Sequence, residues 1–228
     1  MIIQILANLQ EEGYLTSADH PTLAPFFAGA NVAFRRTAVQ QTNGFDPKCV
    51  TGEDCDLCVR LYKHNWSLYL RPQAVVAHHN PTTLRQLVRQ WFRYGLYHPY
   101  VFAKHNDRAI EFYARMNQPR GAERYTCLYY VHSPVGIVVF FTRWLAIHLL
   151  VLGALAAWGL GQPVAGGALG AAALSQIIAY AWPDVRQFGM WLGSAFAALR
   201  YAADASLFVG AFLGGLQQGM LYLSATVD

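Results

Sequence analysis

The charged residues of this chain thin out abruptly near residue 130. Residues 1–130 hold 14 of the 17 Lys and Arg and 10 of the 13 Asp and Glu, which leaves three of each for residues 131–228. That imbalance limits the fold more than any single motif does. A soluble domain carries charge on about a quarter of its residues, so residues 131–228 are poorly clothed for water. They also contain three long apolar runs, and about 20 such residues cross a bilayer as a helix. The chain is therefore expected to divide into a polar region, 1–130, and a transmembrane region, 131–228, with spans near 144–161, 164–182 and 205–224.

The first apolar run contains Arg143. An Arg at mid-helix costs about 3 kcal/mol on insertion scales, so the span is expected to start near Trp144, with 134–143 interfacial. His148 and the Gln217-Gln218 pair are the candidates for an ion or proton relay that this placement leaves within the spans. They make no ion or proton relay, which sets aside a small transporter or channel. Small residues four apart (Gly166/Gly170, Gly210/Gly214 and Gly215/Gly219) would let helices approach closely. The loop "GQPVAG" is uncharged, whereas Arg186 and Arg200 follow the second span. The positive-inside rule then puts the polar region on the cytoplasmic side of an integral membrane protein, with the plasma membrane as the expected location. Near the N-terminus, "IIQILANLQEEG" lacks the basic start of a signal peptide. The net charge of +4 comes without a basic run or an aromatic ladder, so no nucleic-acid partner is expected.

Within the polar region, residues 2–13 read as a short helix and "FFAGANVAFRR" (26–36) as a buried strand. A helix over 37–46 would be capped by Thr37 and stopped by Asn43-Gly44. Another runs from about 54 to 64, behind Gly52. "WSLYLRP" and "AVVAHH" read as short strands. An amphipathic helix near 82–96 would be capped by Thr82 or Thr83, with Leu84, Leu87, Val88 and Trp91 on its apolar face. Arg85, Arg89 and Arg93 recur along a separate edge. "DRAIEFYARMNQ" suggests one more helix. Cys55 and Cys58 have the spacing of a redox or zinc half-site, but no second pair completes it. With Val59 and Tyr62 they also follow helical periodicity, the pattern of buried apolar thiols.

"VTGEDCDLCVRLYKHNW" (50–66) sets Glu53, Asp54 and Asp56 at the start of a helix. Such acids are ordinary first-turn residues that complement the helix dipole. The same position favours an ionised carboxylate able to take a proton from a hydroxyl. His78-His79 follow an apolar stretch, either as loop residues or as ligands for a metal or phosphate. The Arg85/Arg89/Arg93 edge is either a solvated face or a site for diphosphate or anionic headgroups.

The order of these features narrows the choice. "AGANVAFRR", "NGFDP", "GEDCDLCVRLYKHNW" and "VVAHHNPTTLRQLVRQWFRYG" together resemble the second half of a family 2 glycosyltransferase catalytic domain, over about residues 26–96. The resemblance implies an inverting, membrane-linked enzyme with a GT-A fold. The fold class it implies is a partial α/β GT-A-like domain, 1–130, followed by an all-α membrane region of about three helices. The family's Gly/Thr-Glu-Asp motif maps onto Gly52-Glu53-Asp54, with Asp54 as general base. Its Gln-x-x-Arg-Trp motif looks like Gln90, Arg93 and Tyr94, with Tyr in place of Trp, holding diphosphate or acceptor at the membrane surface. By the same resemblance Gly29 and Asn31 shape the acceptor pocket, Glu53 is among the substrate-binding residues, Asp56 supports the base, and His78 helps bind a divalent Mg or Mn ion or the diphosphate. The implied partners are a nucleotide-sugar donor, a lipid-linked or polysaccharide hydroxyl acceptor, and membrane lipids.

The family's nucleotide-binding half carries an Asp-x-Asp metal motif. Here only about 25 residues precede "FFAGAN", and the one Asp-x-Asp, Asp54-Cys55-Asp56, occupies the position of the base motif. A fragment or the acceptor half of an enzyme is therefore expected. A non-catalytic membrane scaffold that keeps a degenerate glycosyltransferase half is the alternative.

Overall fold

The computed structural model describes residues 22–23, 29–70, 73–117 and 123–225. In chain order come β1 (Thr22–Leu23), a 3-10 turn (Gly29–Asn31), α1 (Arg36–Gln41), α2 (Glu53–Lys63), β2 (Tyr69–Leu70), α3 (Leu84–His105), β3 (Ala109–Asn117), β4 (Glu123–His132), β5 (Gly136–Phe141), α4 (Arg143–Gly159), α5 (Pro163–Phe188), α6 (Met190–Gln217) and β6 (Met220–Leu223). The class is as expected: a mixed α/β region, then C-terminal helices, two of which are long and apolar enough to cross a membrane. The helix expected in residues 2–13 lies outside the described residues.

Several local expectations change. Residues 32–35 follow the 3-10 turn without joining a strand. Helix α1 begins at Arg36, so Thr37 lies inside its first turn, and Arg35 precedes it with no side-chain cap. Its end is as read: Asn43 and Gly44 take φ of 60° and 70°, and the Gly44 N–H donates back to the Val39 carbonyl. Among the described residues, "WSLYLRP" yields only the two residues of β2, and 74–80 form no strand. Both segments are short, and a strand forms only where a neighbour accepts its hydrogen bonds. Helix α2 packs Leu57, Cys58 and Leu61 with Ala38 and Leu68, flanked by Phe34 and Trp66.

Helix α3 is longer than expected. Thr83 caps it in a full capping box with Gln86, and the helix continues past Pro99 to His105. It runs beside α6, and their contacts advance in the same direction. Leu87 clusters with Ala203. A Cβ on Gly95 would strike the backbone of Leu207 and Ala211, and one on Gly214 the backbone of Leu96. Gly210 likewise admits the backbone at Phe92. Of the small-residue pairs in the sequence, Gly210/Gly214 thus serves helix packing, whereas Gly170 meets nothing within 4 Å. Gly95→Leu is expected to cost about 1–3 kcal/mol or more, because side-chain volume would have to push the α3 and α6 backbones apart. A thermal unfolding midpoint unchanged from wild type would refute this.

"AIEFYARMN" forms a strand, not a helix. Its alternation of Ile110, Phe112 and Ala114 against Glu111 and Tyr113 suits a pleat once β4 and β5 flank it. The sheet order is β4-β3-β5-β6, with β3–β4 antiparallel and β3–β5 and β5–β6 parallel. Two of its strands, β5 and β6, come from the stretch read as wholly helical. Val138, Met220 and Tyr222 pack on Ala211 of α6, with Phe102, Tyr113 and Phe140 at the margin. The C-terminal helices are therefore tied to the sheet from both ends.

The spans also move. Helix α4 starts at Arg143, whose guanidinium donates to the Ala179 carbonyl at 2.7 Å. The third apolar helix runs Met190–Gln217 rather than 205–224, since Gly219 (φ 66°) turns the chain into β6. Asp184, Arg200 and Asp204 consequently fall within α5 and α6. Arg200 pairs with Asp184 at 2.8 Å and lies 4.4 Å over the Tyr180 ring. The Tyr180 hydroxyl donates to Asp204 at 2.6 Å. These mutually paired groups pin α5 to α6, a role for charge that the shorter spans did not contain.

Candidate active site

Gly52 takes φ 78° immediately before α2, which turns the chain so that the helix opens on Glu53 and Asp54. Both Asp54 oxygens accept backbone N–H groups: Oδ2 from Gly29 and Oδ1 from Cys55, each at 2.7 Å. Two such bonds fix the carboxylate plane while leaving lone pairs for a proton. Asp54 is half-buried, and the 29–31 turn beside it is exposed. A Cβ on Gly29 would meet Asp54 Oδ2 at 3.6 Å and Glu53 Oε1 at 4.0 Å, ordinary contacts. Gly29 thus serves Asp54 through its N–H.

Helix α3 touches the same segment at two points. The Thr51 hydroxyl donates to the Arg93 carbonyl at 3.3 Å, and a Cβ on Gly52 would touch Val101 at 3.3 Å. Gln90 donates to the Tyr94 hydroxyl at 2.7 Å, one turn apart. Tyr94 also meets Trp91 edge-to-face at 5.7 Å, while Trp91 packs toward Leu87, Ala203 and Leu199. Trp91 therefore anchors the helix, and Gln90 and Tyr94 stay on the site edge. Arg85, Arg89 and Arg93 are exposed.

Asn31 donates its amide to the Ala74 carbonyl at 2.6 Å. It ties the turn to the 74–80 segment, a different role from shaping a pocket. His78 is on that segment and shares a 2.8 Å hydrogen bond with Asn80. No group of three or more His, Cys, Asp or Glu side chains converges among the described residues. The donors around His78 therefore do not fit the divalent ion that the resemblance implies.

Asp56 is placed differently from the expectation that it supports the base directly. It is fully buried and points into a charged cluster. Arg60 pairs with its Oδ2 at 2.6 Å, and Lys104 and His105 meet its Oδ1 at 2.8 Å. Arg60 also donates to the Thr42 carbonyl. Lys104 pairs with Asp46 at 2.6 Å, and Tyr100 donates to the same carboxylate. The side-chain period of a helix explains the split: Asp54 and Asp56 lie about 200° apart around α2. Asp54 faces the site, and Asp56 locks α2 to the end of α3.

Burial works to raise the Asp56 pKa, but hydrogen bonds from Lys104, Arg60 and His105 outweigh it and hold it below the ordinary value. His105 is pushed down by burial, with Asp56 opposing. The hydrogen bonds agree with a neutral ring: Nε2–H donates to Asp56, and Nδ1 accepts from Lys63 at 3.2 Å. Cys58 is buried in the α2 core. Burial raises the thiols of Cys55 to about 11 and Cys49 to about 12. They are packing groups, protonated at neutral pH.

Sequence reasoning missed His98. It follows Gln90 and Tyr94 at four-residue spacing, so the three share one edge of α3. Burial pushes its imidazole down to about 4, against the opposing charge of Asp54. The continued four-residue spacing past Tyr94 was the available signal.

A family model described as "Glycosyl transferase family group 2" matches residues 14–182, a stretch that contains Gly29, Asp54 and the α3 edge. The chain belongs to glycosyl transferase family group 2. It is also 33% identical over 89 residues to pre-mycofactocin glycosyltransferases of two Mycobacterium tuberculosis strains, CDC 1551 / Oshkosh and H37Rv. That match covers 39% of this chain and 19% of each relative. No solved structure matches the chain.

Proposed function

We propose that this family 2 protein moves a sugar from a nucleotide-diphosphate donor to an acceptor hydroxyl with inversion, and that Asp54 is the general base. One observation carries the reading: both Asp54 oxygens are held by backbone N–H groups at a helix start, in a segment that Thr51 ties to Arg93 of α3. As the acceptor oxygen attacks the anomeric carbon, Asp54 takes its proton and the bond to the diphosphate breaks. The exposed Arg85, Arg89 and Arg93 supply charge for the diphosphate or for lipid headgroups. A divalent cation would need donors beyond the described residues.

The α4–α5 hairpin leaves Leu152, Leu155, Trp158, Leu174, Ile177 and Ile178 exposed, and we place that surface in lipid, with α3 at the cytoplasmic boundary. The test is release of nucleoside diphosphate from UDP- and GDP-sugars by the chain in nanodiscs, with and without hydroxyl acceptors. Acceptor-dependent release is expected. Donor binding without any release would favour the scaffold.

A further inference from the structure

The α3 edge holds a third group beside Gln90 and Tyr94. Val101, three residues after His98, meets Gly52, and Arg93, five residues before it, is bonded through its carbonyl to Thr51. His98 therefore lies between two points where α3 touches the 51–54 segment, and it feels the charge of Asp54. Its ring is half-buried and has no hydrogen-bond partner among the described residues, whereas Gln90 and Tyr94 satisfy each other.

We propose that His98 hydrogen-bonds the acceptor and selects which hydroxyl faces Asp54, so that the acceptor is an uncharged polyol or sugar with a hydroxyl next to the reacting one. This rests on the reading of Asp54 as base. The chemistry follows from the ring. Because burial keeps His98 neutral at working pH, it offers one N–H donor and one lone pair. A hydroxyl, itself donor and acceptor, satisfies either. A phosphate oxygen only accepts, so it could use the N–H but would leave the lone pair unmatched and would find no positive charge there. The arginines on the exposed edge suit the diphosphate; His98 suits the acceptor.

The test needs no turnover. The chain in nanodiscs, with 15N-labelled histidine, is titrated with methyl glycosides of glucose, galactose, mannose and N-acetylglucosamine, and separately with inorganic pyrophosphate. His98 ring signals are expected to move with at least one glycoside and not with pyrophosphate. The same shift is expected in Asp54→Asn, which removes the base but not the site. His98→Phe should weaken that glycoside about tenfold, the worth of one hydrogen bond, with an unchanged melting temperature, and His98→Asn should restore some of the loss. No glycoside shift, or a pyrophosphate shift, overturns the proposal. Transfer that survives Asp54→Asn while the glycoside shift remains would instead overturn the assignment of the base.

Discussion

Replacing Asp56 by Ala is expected to destabilise the protein by about 3–5 kcal/mol, the usual cost of removing one partner from a buried ion pair. The cause is what remains. Arg60 and Lys104 would stay beside the His105 ring with no carboxylate between them. Water could not fully replace it, because Asp56 is completely buried. The loss should appear in equilibrium unfolding, and Asp56→Asn should recover only a fraction of it. A variant as stable as wild type would mean that the cluster is solvated and not structural. The pH dependence follows from the shifts. His105 lies below its ordinary 6.5, so acidification through that value protonates the unfolded chain first and stability falls. Asp56 lies below 3.8; its contribution is complete above that value and is lost as pH falls through its lower folded one. Wild-type stability should therefore decline from about pH 6.5 downward, and Asp56→Asn should remove its own share of the decline below 3.8, leaving that of Asp46, which Lys104 also holds low.

Asp54→Asn should lower kcat for transfer by about 10²–10⁴-fold, the contribution of a positioned general base. The amide matches the carboxylate in shape but cannot take the proton. Its oxygen can accept from the Gly29 or the Cys55 N–H, not both, since its NH2 would then face the other donor. A stability loss of about 1 kcal/mol should accompany the kinetic one. Donor affinity should hold within about twofold, because the base contacts the acceptor and not the nucleotide. Donor affinity that fell in step with kcat would place Asp54 at the diphosphate instead.

The sequence by itself determined features whose cause is local. The charge imbalance marked where the apolar helices begin. Gly52, with the acids after it, marked the start of α2, Asn43-Gly44 the end of α1, and Thr82 or Thr83 the cap of α3, of which the structure uses Thr83. Each depends on backbone torsion or on a bond within one turn. The order of motifs also pointed to the family and to Asp54. Only the tertiary structure separated Asp54 from Asp56, whose roles depend on which side of α2 meets Gly29 and which meets Lys104 and His105. It also made β3 a strand, since "AIEFYA" holds its pleat only between β4 and β5. It placed Arg200 and Asp184 within long helices, where each neutralises the other. His98 entered the site because Gly95, Gly210 and Gly214 let α3 and α6 touch backbone to backbone, and Thr51 and Val101 hold the α3 edge against the 51–54 segment. Those contacts join residues more than 40 positions apart, and no periodicity in the sequence carries that information.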